Sequence, residues 1–285
     1  MRINKQKPAW LKVKLPSTPT FNYVSEVLAD LHLHAVCREA RCPNIAECFH
    51  LGTVTFLILG DLCTRNCLYC NVRHGIPDAP RQDEPARVAE AVKRLGLHYI
   101  VITSVTRDDL PDGGADLFSQ CIRILRKDIP NCKVEVLIPD FQGNWDALDL
   151  ILDARPDVIN HNMEVVRRLF SAFRPQGNYD LSLELIERVG RHSIDISTKS
   201  GFMVGLGEER IDIVCLLEDL IRVGCQHLTI GQYQQPTLDK CPVERYYPPN
   251  EFTELKQIAL QMGFRHVESG PLIRSSYHAA KTIGR

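Results

Sequence analysis

The chain has 285 residues, of which 44% are hydrophobic and 24% charged, ordinary values for a globular protein long enough to bury a core. Its apolar runs are shorter than the roughly 18 residues that a membrane span needs, so we expect no membrane association. Thirty-four basic residues against 35 acidic ones leave a formal net charge of −1, and the strong positive charge that favours nucleic acid is absent.

Cysteine stands out in this composition. There are 11 cysteines, and those closest together fall between positions 37 and 70. The first 25 residues lack an apolar segment followed by a small-residue cleavage site, so we expect a cytoplasmic protein with reduced thiols. Closely spaced cysteines in that compartment are more often metal ligands or catalytic groups than disulfides.

Residues 1–23 carry basic side chains and no acidic ones, interrupted by prolines, which predicts an extended arm. Such a segment is either a solvated strap over the domain or a basic contact for an acidic partner protein. The basic residues of the arm are Arg2, Lys5, Lys7, Lys12 and Lys14.

The first cysteine triplet follows the arm. Cys37, Cys42 and Cys48 have the spacing C-x4-C-x5-C, and we call them the N-terminal triplet. Three thiolates suit a 4Fe–4S cluster that lacks one cysteine ligand. The fourth ligand must then come from elsewhere in the chain or from a bound molecule. The single cysteines further along the chain are interpreted as buried, inert thiols.

Beyond Gly52, short β-rich runs alternate with segments of helical period, which is typical of βα units around a parallel sheet. We predict strands at 53–59, 99–103, 133–138, 157–160, 194–198 and 227–230. Helices are predicted at 84–95, 115–127, 145–153, 164–170, 181–189, 210–223 and 250–262. Six similar units favour a barrel, complete or partial, over an open doubly wound sheet. Either fold places chemistry at the carboxyl ends of the strands.

The second triplet lies on the loop after the first predicted strand. Cys63, Cys67 and Cys70 have the spacing C-x3-C-x2-C, and we call them the loop triplet. Thiolates select zinc, copper(I) or iron–sulfur clusters, and a structural zinc site would want a fourth ligand. Three thiolates on a 4Fe–4S cluster leave one iron open, which indicates catalysis.

The loop triplet, with Tyr69 directly before Cys70, resembles the signature of the radical S-adenosylmethionine enzymes. The resemblance implies a partial (βα)6 TIM-type barrel and a 4Fe–4S cluster whose open iron binds S-adenosylmethionine. It also implies reductive cleavage of S-adenosylmethionine to a radical that abstracts hydrogen. Tyr69 would then flank the nucleoside, although an aromatic residue there also fits simple packing on the barrel rim.

Both triplets together resemble the lipoyl synthase family, as do motifs at the predicted strand ends and in the tail. These motifs are Thr103-Ser-Val-x-Arg-Asp-Asp109, Asn160-His-Asn-x-Glu164, Thr198-Lys-Ser-Gly201 and Arg274-Ser-Ser-Tyr-His-Ala279. The resemblance implies radical insertion of two sulfur atoms, at C6 and C8, into an octanoyl chain on a lysine of a lipoyl carrier domain. An electron donor such as ferredoxin or flavodoxin is implied as a second partner.

The same resemblance implies a second, auxiliary 4Fe–4S cluster that is consumed as the sulfur source. Its ligands would be the N-terminal triplet and a tail serine, for which Ser276 is the expectation and Ser275 remains an alternative. An alkoxide is a hard ligand on an iron that prefers thiolate, so the Fe–O bond would be the one given up when the cluster opens.

Other polar residues at the strand ends are candidates to bind S-adenosylmethionine. Hydroxyls, amides and acids supply the donors and acceptors that its amino acid and ribose groups need. The candidates are Thr103, Ser104, Asn160, Asn162 and Glu164. Glu164 also fits the first turn of a helix, and His161 fits a structural imidazole.

Two further features lie near the fifth predicted strand. Lys199 fits either a partner for an anionic group or a surface lysine, and residues 201–207 are interpreted as a turn at the barrel mouth. Apolar strand residues are expected to line the barrel interior and accept the eight-carbon chain.

We therefore expect an N-terminal arm and auxiliary-cluster segment at 1–51, a radical S-adenosylmethionine barrel at 52–268 and a C-terminal tail at 269–285. A sulfur-inserting enzyme of the biotin synthase kind is a weaker alternative, because its second set of ligands would be dispersed along the strands. An electron carrier is weaker still, since it would want fully thiolate-ligated clusters.

Overall fold

The computed structural model describes residues 7–12, 18–192 and 195–280. Arg2, Lys5 and Lys14 of the predicted arm, and the first residue of the strand predicted at 194–198, lie outside the described residues. Helices of the described ranges are α1 (Pro19–Asp30), α2 (Val36–Glu39), α3 (Ile45–His50), α4 (Glu84–Leu95), α5 (Ala115–Asp128), α6 (Trp145–Asp153), α7 (Arg167–Phe173), α8 (Tyr179–His192), α9 (Arg210–Arg222) and α10 (Pro249–Met262).

Strands of the same ranges are β1 (His34–Ala35), β2 (Thr55–Ile58), β3 (Leu62–Cys63), β4 (Arg73–His74), β5 (Tyr99–Ser104), β6 (Lys133–Leu137), β7 (Val158–Asn160), β8 (Ser197–Val204), β9 (His227–Gln232) and β10 (His266–Gly270). No helix in the described part of the chain is both long and apolar enough to cross a membrane.

One curved sheet organises the fold. Its order is β1-β2-β5-β6-β7-β8-β9-β10, and all neighbours are parallel except β1, which pairs antiparallel with β2. The order follows the chain because each crossover places the next strand beside the last. The six predicted strands are β2 and β5–β9, so the partial barrel is confirmed. Strand β10 adds a parallel neighbour that was not predicted.

The core lies between this sheet and the surrounding helices. Helix α4 shows how the sequence produces the packing, since Val88, Ala91 and Val92 recur at helical spacing and are all buried. Gly96 ends the helix with a φ of 61°, a left-handed conformation that glycine adopts without steric cost.

The prediction of an extended arm up to about Tyr23 is wrong, because α1 already begins at Pro19. Thr18 caps this helix by accepting a hydrogen bond from the Phe21 amide at 3.2 Å. Val24 and Leu28 then bury the inner face of α1 against the barrel.

Two boundaries on the barrel are also corrected. Strand β8 runs to Val204, so residues 201–204 are strand rather than turn. Gly201 is required there because a Cβ would lie 2.2 Å from Thr229 Oγ1. The helix predicted from 164 begins instead at Arg167. Glu164 therefore lies outside the helix, with a φ of 67° and a bridge to Phe202 of β8.

Candidate active site

The loop triplet begins at Cys63, the last residue of β3, and continues along the segment that leads to β4, after the carboxyl end of β2. Backbone hydrogen bonds hold this loop to three other parts of the barrel. Thr64 N donates to Thr106 O at 3.0 Å, Leu68 N donates to Phe173 O at 3.0 Å, and Cys241 N donates to Leu68 O at 3.2 Å. The loop that carries the three thiols is therefore a fixed part of the barrel mouth.

Arg65, between the first two cysteines of the loop, is buried and forms two bidentate ion pairs. Its guanidinium donates to Asp108 at 2.7 and 2.9 Å and to Asp140 at 2.7 and 2.6 Å. Burial by itself would raise the pKa of Asp140, but the Arg65 charge outweighs it and lowers that pKa to about 2. Arg65 thus joins the cysteine loop to the segments that follow β5 and β6.

The backbone amide of Arg65 also forms a hydrogen bond to a cysteine sulfur of the loop triplet. Arg65 N donates to Cys63 Sγ at 3.4 Å, which places an N–H donor beside this sulfur. Such hydrogen bonds tune the potential of a cluster held by the thiolates. Sequence reasoning did not identify the side-chain role of Arg65, because both carboxylate partners are distant in the chain.

The thiols of the loop triplet act on one another. Burial, with the neighbouring Cys67 and Cys63 adding to its effect, raises the pKa of Cys70 to about 12. Burial also raises the pKa of Cys67. Three thiolates so close together in a buried place need a shared cation to be stable. An iron–sulfur cluster supplies that cation, so the donor set fits the group that the sequence predicts.

The N-terminal triplet has the same electrostatic character. Burial raises the pKa of Cys48 to about 12, with Cys37 and Cys42 adding to the effect, and burial raises the pKa of Cys37 to about 11. Cys37 lies in α2 and Cys48 in α3. This set also fits a cluster. Within the described ranges, no group of three or more His, Cys, Asp or Glu side chains is arranged to hold a single metal ion.

The C-terminal tail returns to the N-terminal triplet. Asn44 Nδ2 donates to Leu272 O at 2.6 Å, and the Tyr277 hydroxyl donates to Glu47 at 2.8 Å. The tail also passes directly over β9, where a Cβ on Gly231 would lie 2.2 Å from a tail carbonyl oxygen. These contacts fix the backbone of the tail on both sides of its two serines.

The two serines face different partners. Ser276 Oγ accepts a hydrogen bond from Thr55 Oγ1 at 2.8 Å, and Thr55 also contacts Cys37 of the N-terminal triplet. Ser275 Oγ accepts one from Asn162 Nδ2 at 2.8 Å. The two alternatives that the sequence leaves open therefore occupy distinct environments.

A cavity of about 440 Å³ opens between the two triplets. Its wall includes residues from the N-terminal triplet, the loop triplet and the tail, namely Cys37, Cys42, Tyr69, Cys70, Ser275 and Ser276. Asn162 and Glu164 also line it. Residues from three distant parts of the sequence thus share one chamber at the barrel mouth.

Glu164 and Asn162 form one polar edge of this cavity. Asn162 Nδ2 donates to Glu164 Oε1 at 2.9 Å, and Asn162 Oδ1 is buried without a hydrogen-bond partner among the described residues. Burial raises the pKa of Glu164, opposed by the charge of Arg174. Acceptors of this kind suit the hydroxyl and ammonium groups of a ligand.

The other predicted ligand contacts lie elsewhere. Asn160 is fully buried and donates to Glu135 at 3.3 Å, one layer below the cavity. Thr103 is also buried, and its hydroxyl donates to Leu137 O at 3.0 Å. Ser104 Oγ is buried with no partner in the described part of the chain. None of these three is among the residues that form the cavity wall.

The floor of the barrel corrects two expectations. Lys199 is 2% exposed and bonds Glu135, itself fully buried, at 2.8 Å, so the surface-lysine alternative is wrong. Tyr99 donates to the same carboxylate at 2.6 Å. The lower barrel is therefore a polar network rather than an apolar tunnel, because a buried charge requires a partner and hydrogen bonds.

One ring nitrogen of His161 makes a structural contact with the backbone. Its Nδ1 lies 2.8 Å from Ile138 O, whereas its Nε2 is buried without a partner in the described ranges. Burial and the nearby Arg174 charge lower the pKa of His161 to about 4, so the ring is neutral at physiological pH.

The chain matches two protein-family models. Residues 57–220 match the model of the radical SAM superfamily, and residues 2–42 match that of the N-terminal domain of lipoyl synthase of the radical SAM family. The chain is 52% identical to a lipoyl synthase of Rubrobacter xylanophilus, covering 96% of this chain and 85% of the relative. It is 50% identical to one of Chloroflexus aggregans, covering 98% and 91%.

Solved structures show the same fold at low sequence identity. SuiB of Streptococcus suis bound to S-adenosylmethionine matches with a TM-score of 0.59 and 10% identity, covering 79% of this chain and 53% of that one. HydG, a maturase of the FeFe hydrogenase, matches with a TM-score of 0.56 and 16% identity, covering 96% and 68%.

Proposed function

The chain belongs to the lipoyl synthase family of the radical S-adenosylmethionine superfamily, and from this premise we propose how its residues divide the work. Its activity is the radical insertion of two sulfur atoms into an octanoyl chain held on a lipoyl carrier. The family uses a 4Fe–4S cluster and S-adenosylmethionine. The residue assignments below are our proposals.

Cys63, Cys67 and Cys70 hold the cluster that binds S-adenosylmethionine. Support comes from their position on a fixed loop at the carboxyl end of β2 and from the mutual effect of their thiols. Arg65 keeps that loop in register with the barrel through its paired carboxylates.

Cys37, Cys42, Cys48 and Ser276 hold the second, auxiliary 4Fe–4S cluster. Ser276 is favoured over Ser275 because its hydroxyl lies beside Thr55 and the N-terminal triplet, whereas Ser275 faces Asn162. A serine oxygen is the hard ligand of this set and the one most readily given up by iron.

The observation that carries the proposal is the shared cavity, lined by cysteines of both triplets and by the tail serines. When bound, the cluster on the loop triplet would supply the electron that cleaves S-adenosylmethionine. The auxiliary cluster would supply the sulfide that is inserted. The chain positions the octanoyl carbons between them, and the enclosing wall excludes water that would quench a reactive intermediate.

Tyr69, Asn162 and Glu164 are proposed to contact S-adenosylmethionine, supported by their place in the cavity wall. Thr103, Ser104 and Asn160 stay predictions, and the burial of Asn160 against Glu135 favours a role in shaping the barrel beneath the site.

The partners are an octanoylated lipoyl carrier and, as a proposal, an electron donor such as ferredoxin or flavodoxin. We further propose a cytoplasmic location without membrane or nucleic-acid partners, and the division into 1–51, 52–268 and 269–285. The two flanking segments of that division meet over the barrel, which supports treating them as one site.

Iron and sulfide counts on anaerobically reconstituted protein test the proposal. We expect about eight iron atoms per chain, and about four when all three cysteines of either triplet are replaced by alanine. Ser276→Ala should still form 5′-deoxyadenosine while transferring less sulfur to an octanoyl-lysyl peptide. Ser275→Ala is the matched variant and should keep the auxiliary cluster. A parent chain with about four iron atoms, or Ser276→Ala with unchanged sulfur transfer, would contradict these assignments.

A further inference from the structure

We propose that Thr55 is a positioning residue for the auxiliary site, holding the Ser276 oxygen in the direction of the N-terminal triplet. The inference rests on the proposed function, because it requires Ser276 to be an iron ligand. It concerns a residue that has no ligand role of its own.

Thr55 connects three segments at one point. It is the first residue of β2 and is 5% exposed. The antiparallel pairing of Ala35 with Phe56 brings the segment that leads into Cys37 alongside it. Its hydroxyl donates to Ser276 Oγ at 2.8 Å. Thr55, Cys37 and Ser276 share the same cavity wall.

In the structure the Thr55 hydroxyl is the donor of this contact and the Ser276 oxygen is the acceptor. A hydroxyl has one proton and two acceptor positions, and Thr55 occupies one acceptor position of the Ser276 oxygen. The remaining position is left for a second partner in the cavity. Thr55 can donate whether or not Ser276 keeps its own proton, and the bond strengthens if Ser276 becomes negative.

The backbone contacts of the tail do not provide this orientation. Asn44 and Tyr277 fix the main chain on either side of Ser276, but a serine side chain still has three staggered rotamers. Thr55 selects among them. Without its hydroxyl, the Ser276 oxygen would be free to turn away from the site.

The variants Thr55→Val and Thr55→Ser separate positioning from simple packing. Valine keeps the volume and removes the hydroxyl, whereas serine keeps the hydroxyl and removes a methyl group. Thr198→Val is the matched control, because Thr198 is a buried threonine on β8 whose hydroxyl donates to Gly224 O at 2.8 Å. Thr55→Ala is a second variant without the hydroxyl, to be used if valine prevents folding.

The measurement uses full-length chain in which the loop triplet is replaced by alanine, so that the auxiliary cluster alone contributes. Release of iron to a chelator and the electron paramagnetic resonance spectrum of the reduced cluster are the readouts. Loss of a residue that supports a metal ligand typically weakens metal binding by about 10- to 100-fold. We expect Thr55→Val to release iron about tenfold faster with a changed spectrum, while Thr55→Ser and Thr198→Val behave as the parent.

The double variant Thr55→Val/Ser276→Ala identifies the route of the effect. If Thr55 acts through Ser276, the double variant releases iron no faster than Ser276→Ala alone. An unchanged release rate in Thr55→Val and Thr55→Ala would overturn the positioning role. Additive effects in the double variant would also overturn it, because they would place the effect on the Cys37 thiol, which the Thr55 hydroxyl also contacts. An unchanged rate in Ser276→Ala would instead overturn Ser276 as a ligand, and with it the proposed function of the tail.

Discussion

Arg65→Lys tests how the cysteine loop is fixed to the barrel. Arg65 is 5% exposed and makes two hydrogen bonds to each of Asp108 and Asp140. A lysine ammonium is a single point charge and cannot reproduce two bidentate pairs. It can reach at most one oxygen of each carboxylate, so two of the four bonds are lost.

The magnitude follows from the type of bond. Hydrogen bonds to charged groups contribute about 1.5–3 kcal/mol each, so the loss of two lowers the free energy of unfolding by about 3–6 kcal/mol. For a chain of this size each kcal/mol lowers the melting temperature by about 2–4 °C. We therefore expect a decrease of at least about 6 °C.

Thermal unfolding followed by circular dichroism measures this decrease, with Arg167→Lys as the matched control. Arg167 also bonds two carboxylates, Asp180 at 2.7 Å and Asp219 at 3.3 Å, but is 50% exposed. Exposed pairs contribute about 1 kcal/mol or less. Equal decreases in the two variants would refute the argument that burial makes the Arg65 pairs the stronger ones.

Three further changes test other parts of the site. Gly231→Ala forces the tail off β9, because the new Cβ would lie 2.2 Å from a tail carbonyl oxygen, and it should lower both the stability and the iron content of the auxiliary cluster. Gly190→Ala is the control and should lower neither, because its new Cβ would have contacts no closer than 3.8 Å. The pKa of His161 is lowered to about 4, so at pH 5 this histidine is protonated in the unfolded chain but neutral in the folded chain. Urea unfolding should show stability falling by about 2 kcal/mol from this group between pH 7 and pH 5, and His161→Gln with an undiminished fall would contradict it. Tyr277→Phe removes the bond to Glu47 and should speed hydrogen exchange in the tail without changing 5′-deoxyadenosine formation, and equal exchange rates would show that this bond does not hold the tail.

Much of the barrel could be predicted from local patterns. Strand β5 and helix α4 follow the predicted ranges closely, because alternation and helical spacing are properties of neighbouring residues. Errors arose where a distant contact overrides the pattern. The glycine at 201 signals a turn locally, yet it belongs to a strand because Thr229 packs against it.

The candidate site divides in the same way. Both cysteine triplets were evident from spacing and from the chemistry of thiolate ligands. The direction in which the Asn160 side chain points could not be predicted, because the sequence shows only that the end of its strand is polar. Only the fold shows that its amide points to Glu135 beneath the cavity.

The sequence by itself determined the six βα units and the two sets of thiols, since periodicity and ligand spacing act over a few residues. Tertiary structure alone decided which serine bonds Thr55, a neighbour of Cys37, and which carboxylates hold Arg65. Thr55 and Ser276 are 221 positions apart, and Arg65 and Asp140 are 75 apart. Pairs so distant carry no local signal, because their approach depends on the closure of the whole sheet and the return of the tail across it.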